Sequence, residues 1–381
     1  MKRAFVCAVC LCVTVVACFS GCAAPTSGKV QSGSKPKPVQ ADDAENSCLS
    51  YISREMMSDG GVFTNNITAS KSEKLASGQE VLSESEGLML NYYAASADRG
   101  NFDKTLDFIK SKLDSGTIIS YRLREDGSRF PVNASVDDLR ILRGLLEGAE
   151  TFSEPAYTEL CGQYEDRLFD TNVKNNLLLD YYDESSKSAG SLCTLCYSDL
   201  KTMSMLSKSD KRWIKIEKRM SGIVLGGYMG NAFPLFRMQY LPDTDSYTSG
   251  NIGMTEALIT ALHLSEVGKC PPETVNWLIK EISDGAVYGE YTEQGQAATK
   301  VESTSIYALC VLLGISENKP ELVRAATGKL SALQITDKSL DLYGAFADTA
   351  TGKAYSFDNL MALTALHAQT QYFAANEGDA K

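Results

Sequence analysis

Two carboxylates, Glu84 and Glu86, stand in Ser83-Glu84-Ser85-Glu86, just ahead of an apolar run with helical spacing (Leu88, Met89, Leu90, Tyr92, Tyr93). A second acidic pair, Asp137 and Asp138, follows Asn133-Ala134-Ser135-Val136 and opens another helical pattern. Carboxyl groups at helix starts suit general acid–base chemistry, in which one group is kept protonated and another ionised. Each pair also has a plain structural use. Ser83 with Glu86, and Ser135 with Asp138, have the spacing of capping boxes, which satisfy free backbone N–H groups at a helix start. Glu84 is left over one residue past such a cap.

Further carboxylates follow in Leu241-Pro242-Asp243-Thr244-Asp245-Ser246-Tyr247 and at Glu256, about a turn into a later helix. Turn or surface roles compete for all three. Aromatic residues crowd the stretches between helices, among them Tyr121, Phe130, Tyr181, Tyr182, Tyr240 and Tyr247. Aromatic faces stack on sugar C–H surfaces, and they also pin loops to a core. His263 and His367 lie in apolar helical patterns and read as core or rim histidines. Phosphate-binding glycine loops, HExxH and serine-nucleophile elbows are missing, so no cofactor or metal is invoked.

The 381 residues are 44% apolar, enough for one large core or two ordinary ones. A formal net charge of −11 argues against nucleic acid or anionic lipid as ligand. Lys2 and Arg3 precede an apolar run from Ala4 to Phe19, followed by Ser20-Gly21-Cys22. This reads as a secretory signal peptide over 1–21, with Cys22 as the residue that receives a lipid and Cys18 as second candidate. The lipid would hold the chain on the outer face of a membrane. Residues 22–40, rich in Pro, Ser, Gly and Lys, read as an extended tether. Of eleven cysteines, six follow the signal segment: Cys48, Cys161, Cys193, Cys196, Cys270 and Cys310. The lone pair Cys193 and Cys196 reads as buried thiols, or else a local disulfide.

The elements that must carry these residues are helices. Periodicity predicts about twelve, near 42–57, 84–97, 101–114, 137–152, 155–169, 197–207, 210–226, 251–267, 272–284, 302–313, 319–332 and 356–374. Short connections place neighbours antiparallel. Successive hairpins suit an (α/α)6 toroid over 41–381, and the lack of a fixed repeat length counts against a solenoid. The stretches 116–136, 170–196, 227–250 and 285–301 are long loops, which in a compact domain tend to be functional.

Two motifs resemble glycoside hydrolase family 8. That family carries Ser-Glu-Gly-x-x-Tyr-Gly-Met at the start of an inner helix, followed at a fixed distance by Asp-x-x-x-Phe-Asp. Here Ser83-Glu84 and Asp98 to Asp103 take those places, with Ser85 and Leu88-Met89-Leu90 as departures. The resemblance makes Glu84 the general acid; a frame shifted by two would choose Glu86 and lose the Asp98 spacing. The family's Ala-Ser/Thr-Asp-Ala-Asp-Leu resembles Ala134 to Leu139, which implies a sugar-binding acid at Asp138, with Asp137 the alternative because Val136 replaces the family's first Asp. Tyr121 and Arg122 fall where the family often has an aromatic–basic pair, and Tyr240 is a further candidate substrate contact. The family's catalytic base opens a later inner helix in Tyr-Asp-Ala-x-Arg. That place reads Asn251 to Glu256 and lacks the Asp, so the base is sought at Asp245, then Asp243, then Glu256. The resemblance implies an inverting, endo-acting, monomeric glycosidase with a polysaccharide substrate. A glycan-binding lipoprotein without catalysis, or a lyase on the same toroid, is the alternative. Tyr343 to Asp348 and Tyr355 to Asn359 read as a closing hairpin, with Asp358-Asn359 capping the last helix.

Overall fold

A computed structural model of the chain describes residues 41–67 and 76–377. The signal segment, Cys22 and the tether lie outside the described residues. Twelve α-helices follow one another: α1 (Ala41–Glu55), α2 (Ser83–Ala95), α3 (Arg99–Phe108), α4 (Ser135–Phe152), α5 (Pro155–Asn172), α6 (Leu200–Leu206), α7 (Arg212–Gly226), α8 (Met254–Ser265), α9 (Pro272–Asp284), α10 (Thr304–Ser316), α11 (Pro320–Leu333) and α12 (Ser356–Glu377). None is long and apolar enough to cross a membrane among the described residues.

The even-numbered helices pack in the order α2, α4, α6, α8, α10, α12, and α12 returns to α2. The odd-numbered ones lie outside, α1 on α12, α3 on α2, α5 on α4, α7 on α6 and α11 on α10. This closed ring is the (α/α)6 toroid and excludes an open solenoid. Sequence explains the division. The inner α10, Thr304-Ser305-Ile306-Tyr307-Ala308-Leu309-Cys310 and on, is buried on nearly every face. The outer α9 buries one stripe, Thr274, Val275, Leu278 and Ile282, and gives its remaining faces to solvent. Pro155, Pro272 and Pro320 start outer helices, where a missing N–H costs nothing.

Each inner helix is separated from the next by one antiparallel outer helix, so the six inner helices run parallel. Their N-termini gather at one mouth of the ring. Side chains stitch these starts together: Ser83 Oγ donates to Asp137 Oδ2 (α2 to α4), Ser85 Oγ to Ser356 Oγ (α2 to α12), and Ser303 Oγ and Ser305 N to Asp358 Oδ1 (α10 to α12). Asp358 therefore serves the start of α10 rather than that of its own helix, correcting the expectation of a cap on α12. Asn359 instead holds the closing hairpin, bonding Phe346 N and Phe346 O.

Glycine sets the tightest approach. A Cβ on Gly87 would lie 2.8 Å from Arg140 Cβ, and one on Gly144 2.7 Å from Leu90 Cβ. Helices α2 and α4 are thus held closer than side chains permit, which draws their starts together. Short antiparallel hairpins order the long loops. In the largest sheet Gln239–Leu241 pairs with both Ser246–Tyr247 and Cys193–Thr194. All six later cysteines are free thiols, and all but the half-buried Cys270 are buried. The predicted helix 197–207 is shorter than expected: Leu195–Tyr197 is a 3-10 turn, and α6 begins only at Leu200, capped by Asp199.

Candidate active site

Glu84 occupies the first turn of α2 and faces α4. Arg140 Nη1 donates to Asp137 Oδ1 at 2.7 Å and stands 3.6 Å from Glu84 Oε2. Asp137 is held on its other oxygen by Ser83, at 2.9 Å. One guanidinium therefore serves two carboxylates, bonding one and only approaching the other. Glu84 keeps 9% of its surface exposed. Burial, the largest influence, pushes its carboxyl up, Asp137 pushes the same way, and Arg140 pulls down, leaving it near 7. Asp137 is also raised by burial, against the pull of Arg140 and Ser83. A carboxyl poised near neutrality beside a bonded carboxylate and a cation can deliver a proton and afterwards carry negative charge.

Glu86, two residues on, points elsewhere. Its Oε1 accepts from Val62 N at 2.7 Å, and it is wholly buried. Burial raises it to about 8, against the Val62 hydrogen bond. It ties the Met57–Val62 hairpin to α2 and does not share the Glu84 cluster. Neither capping box forms. The residues that cap α2 and α4, Leu82 and Ala134, offer no side-chain bond, and Ser83 and Glu86 spend theirs across the ring.

The structure puts Asp137, rather than Asp138, beside Glu84. Asp138 turns outward: its Oδ2 accepts from Asn133 Nδ2 at 2.6 Å, and it lines a small cavity with Tyr164, Arg167 and Thr171 of α5. That placement sets Asp138, the residue expected to contact sugar, apart from Glu84, since consecutive helix residues project about 100° apart. Arg122 is likewise committed elsewhere. It is buried, and its Nη2 bonds Glu80 Oε1 at 2.9 Å. Tyr121 is half-buried, and its carbonyl accepts from Ser83 N, locking this strand to the start of α2. Asp98 and Phe102 are structural: Asp98 caps α3 through Asn101 N, and Phe102 packs on Gly148.

Asp243 and Asp245 are exposed on the turn between Gln239–Leu241 and Ser246–Tyr247. Asp245 Oδ1 accepts from Tyr240 OH at 2.7 Å and lines a groove against outer helix α7, with Lys218 and Arg219. The bond between Tyr240 and Asp245 and the groove they line belong to the outer ring, not to the Glu84 cluster. Glu256 is different. It lies in the first turn of inner helix α8, and a Cβ on Gly253 would fall 2.4 Å from its Oε2, so that glycine makes its room. Burial raises its carboxyl, helped by Glu290. The Cys196 thiol, raised chiefly by burial, also feels Glu256 and Arg140 in opposite senses. Tyr197 feels Asp180, Asp137 and Glu84. Cys196 and Tyr197 thus lie within electrostatic reach of the Glu84 cluster, Cys196 through Arg140, and Glu256 and Asp180 lie within reach of Cys196. Asp180 is fixed by Thr194 N and Oγ1, both at 2.6 Å, and raised by burial to about 7. Sequence reasoning missed Arg140 and Tyr197. The Asp137–Arg140 spacing of three on one helix was the available signal.

One turn along α4, Arg143 centres a second cluster. It donates to Asp199 Oδ1 at 2.8 Å and to both oxygens of Glu266, at 2.6 and 2.9 Å. Asp199, His263 and Glu266 stand within 4.8 Å of one another, a spacing that would suit a metal ion. Arg143 already supplies the positive charge there, so this is an ion-pair cluster joining α4, α6 and α8.

No family model matches the chain. It is 31% identical to a solved structure described as a novel alpha-amylase from Clostridium perfringens, with a TM-score of 0.81, over 87% of this chain and 99% of that one. It is 25% identical to YdaJ of Bacillus subtilis (strain 168), whose name assigns it provisionally to the lipoproteins, over 89% of this chain and 92% of YdaJ. The fold is shared with endoglucanase Cel10, a family 8 glycosyl hydrolase from Klebsiella pneumoniae (16% identity, TM-score 0.60, 87% of this chain and 100% of that one).

Proposed function

We propose that the chain, which shares the six-hairpin toroid of a family 8 glycosyl hydrolase and is 31% identical to a solved structure described as an alpha-amylase, cleaves a polysaccharide with Glu84 as general acid. The observation that supports this is the placement of Glu84, nearly buried, near 7, beside Asp137 and Arg140 at the mouth where the inner helices begin. Hydrolysis needs a carboxyl still protonated at neutral pH to protonate the leaving oxygen. Once the proton has left, the Arg140 guanidinium 3.6 Å away stabilises the carboxylate. Asp137, aligned by Ser83 and Arg140, takes the sugar-binding part. Glu256 takes the base's part by activating water, because it alone of the three nominated carboxylates stands on an inner-helix start. A general base opposite the acid is the arrangement that inverts configuration.

The substrate reading draws on two directions, the amylase name of one similar structure and the endoglucanase name of another. A glucan is the first choice. Lipidation at Cys22 would place the enzyme outside the cell on its membrane, in keeping with the name YdaJ carries. A glycan-binding protein without turnover is the second reading, and Ile252 standing where the family has its Asp favours it.

Reducing-end release by residues 41–381 tests the proposal on soluble starch, carboxymethylcellulose, mixed-linkage glucan, chitosan and xylan. The expected result is activity on one of them that falls about 10²- to 10⁴-fold in Glu84→Gln and survives in Glu86→Gln. Loss in Glu86→Gln with retention in Glu84→Gln would overturn the assignment. Binding with no turnover by the wild type would establish the second reading.

A further inference from the structure

Helix α7 breaks the pattern of an acidic molecule. The chain carries a net charge of −11, yet the solvent face of this outer helix holds Lys215, Lys218 and Arg219, and its one carboxylate, Glu217, lies half-buried on the far flank, paired with Lys269. Arg212, on the flank, is neutralised by Asp166 and Asp210. The other three have no ion pair among the described residues. At 100° per residue Lys215 and Lys218 bracket Gly222, and Arg219 lies beside them. A Cβ on Gly222 would meet nothing within 4 Å, so the helix is bare where the cations converge.

That bare surface is the floor of an open groove. Its other wall is the hairpin carrying Tyr240 and Tyr247, with Asn176 at one end. The rings lie 5.4 Å apart at 58°. Each hydroxyl is tied down, Tyr240 to Asp245 Oδ1 and Tyr247 to the Ile223 carbonyl, both at 2.7 Å. The rings are therefore fixed before any ligand arrives, which removes part of the ordering cost of binding. Asp245 is the one carboxylate in the groove, and its bond to Tyr240 accounts for it. The half-buried Tyr247 ring, an amide side chain and three unpaired cations around a concave floor match a sugar chain bearing carboxylate or phosphate groups, and the buried Tyr240 ring, 4% exposed, backs that wall. A flat lipid surface would not use the concavity, although Ile214 and Leu225 are exposed on the same helix.

We propose that this groove is a second glycan site, selective for anionic polysaccharide and separate from the mouth where Glu84 stands. The inference rests on the reading of the chain as a polysaccharide hydrolase. The groove would hold a glucan that bears carboxylate or phosphate substituents on the outer ring while another segment of it enters the mouth. It also gives Asp245 and Tyr240 a role in fixing the hairpin that walls the groove rather than in the chemistry.

Affinity electrophoresis of residues 41–381 through polygalacturonate, with neutral hydroxyethylcellulose as control, tests the site. Retardation is expected in polygalacturonate alone and should weaken as salt screens the charges. The triple variant Lys215→Ser, Lys218→Ser, Arg219→Ser should bind about tenfold more weakly or worse. Gly222→Leu, which fills the floor and leaves every charge in place, should do the same. Glu84→Gln should bind as wild type does. Unchanged binding in the triple variant would overturn the site, and unchanged binding in Gly222→Leu would reduce it to unspecific attraction. Dependence on these cations for phosphatidylglycerol vesicles but not for polygalacturonate would make the face a membrane contact and overturn the glycan assignment. Retardation without hydrolysis of any substrate would defeat the hydrolase reading and leave the groove standing; hydrolysis without retardation would do the reverse.

Discussion

Two arginines three residues apart on α4 each face two carboxylates, and the two clusters behave in opposite ways. Arg143 bonds both of its partners, Glu266 through both oxygens and Asp199 through one. Burial works against the charge on Asp199, but Arg143, His263 and the Thr202 hydrogen bonds outweigh it and hold the carboxyl near 2. Arg140 bonds Asp137 and stops 3.6 Å short of Glu84, and burial then carries Glu84 up to about 7. The compositions match. The difference is saturation: a fully bonded carboxylate is a strut, and one left partly desolvated and partly paired holds a proton that can be moved.

Removing the saturating group should have the largest effect. Arg143→Gln strands Asp199 and Glu266 and should cost about 3 kcal/mol, seen in urea unfolding, with the Glu84 chemistry intact in the protein that remains folded. An equal loss of kcat in folded protein would break the comparison. Gly87→Ala comes next. Its Cβ would press on Arg140 Cβ at 2.8 Å and wedge α2 from α4. A loss of about 1–3 kcal/mol is expected, together with lower kcat because Arg140 and Glu84 separate; wild-type stability would mean the helices slide at no cost.

The finest test is a pH profile. Glu84 must be protonated to act as the acid, so kcat/KM should fall as pH rises through about 7. Asp137→Asn removes the anion that raises Glu84 and frees Arg140 to pull harder, so this alkaline limb should move to lower pH. A limb that stays put would detach Asp137 from Glu84, and one that rises would reverse the sign of the coupling. Stability follows the same sign. A carboxyl raised above its unfolded value favours the fold while it stays protonated, and that contribution declines as pH climbs from the ordinary carboxylate range to about 7.

Much of the helical frame was legible because burial patterns are local. The apolar run of α10 and the single stripe of α9 declare inner and outer helices without any coordinates. Prolines 155, 272 and 320 mark starts for a reason internal to the backbone. The capping boxes misled. Ser83 and Glu86 have the right spacing, but a buried helix start offers partners from neighbouring chain segments. Asp137 and the Val62 amide are such partners, and they lie 54 and 24 residues away in sequence.

By itself the sequence determined how many helices form, which faces they bury and which acids stand at their starts, since period and hydrophobicity act over a turn or two. Only the tertiary structure decided which of those acids meet. Whether Asp137 or Asp138 turns inward, whether Arg122 is free or bound to Glu80, and whether Asp245 belongs to the mouth or to the outer ring are all questions of rotation about a helix axis and of ring closure. A 100° step between neighbours separates the inside of the toroid from its wall, and that step is set by packing such as the approach at Gly87 and Gly144.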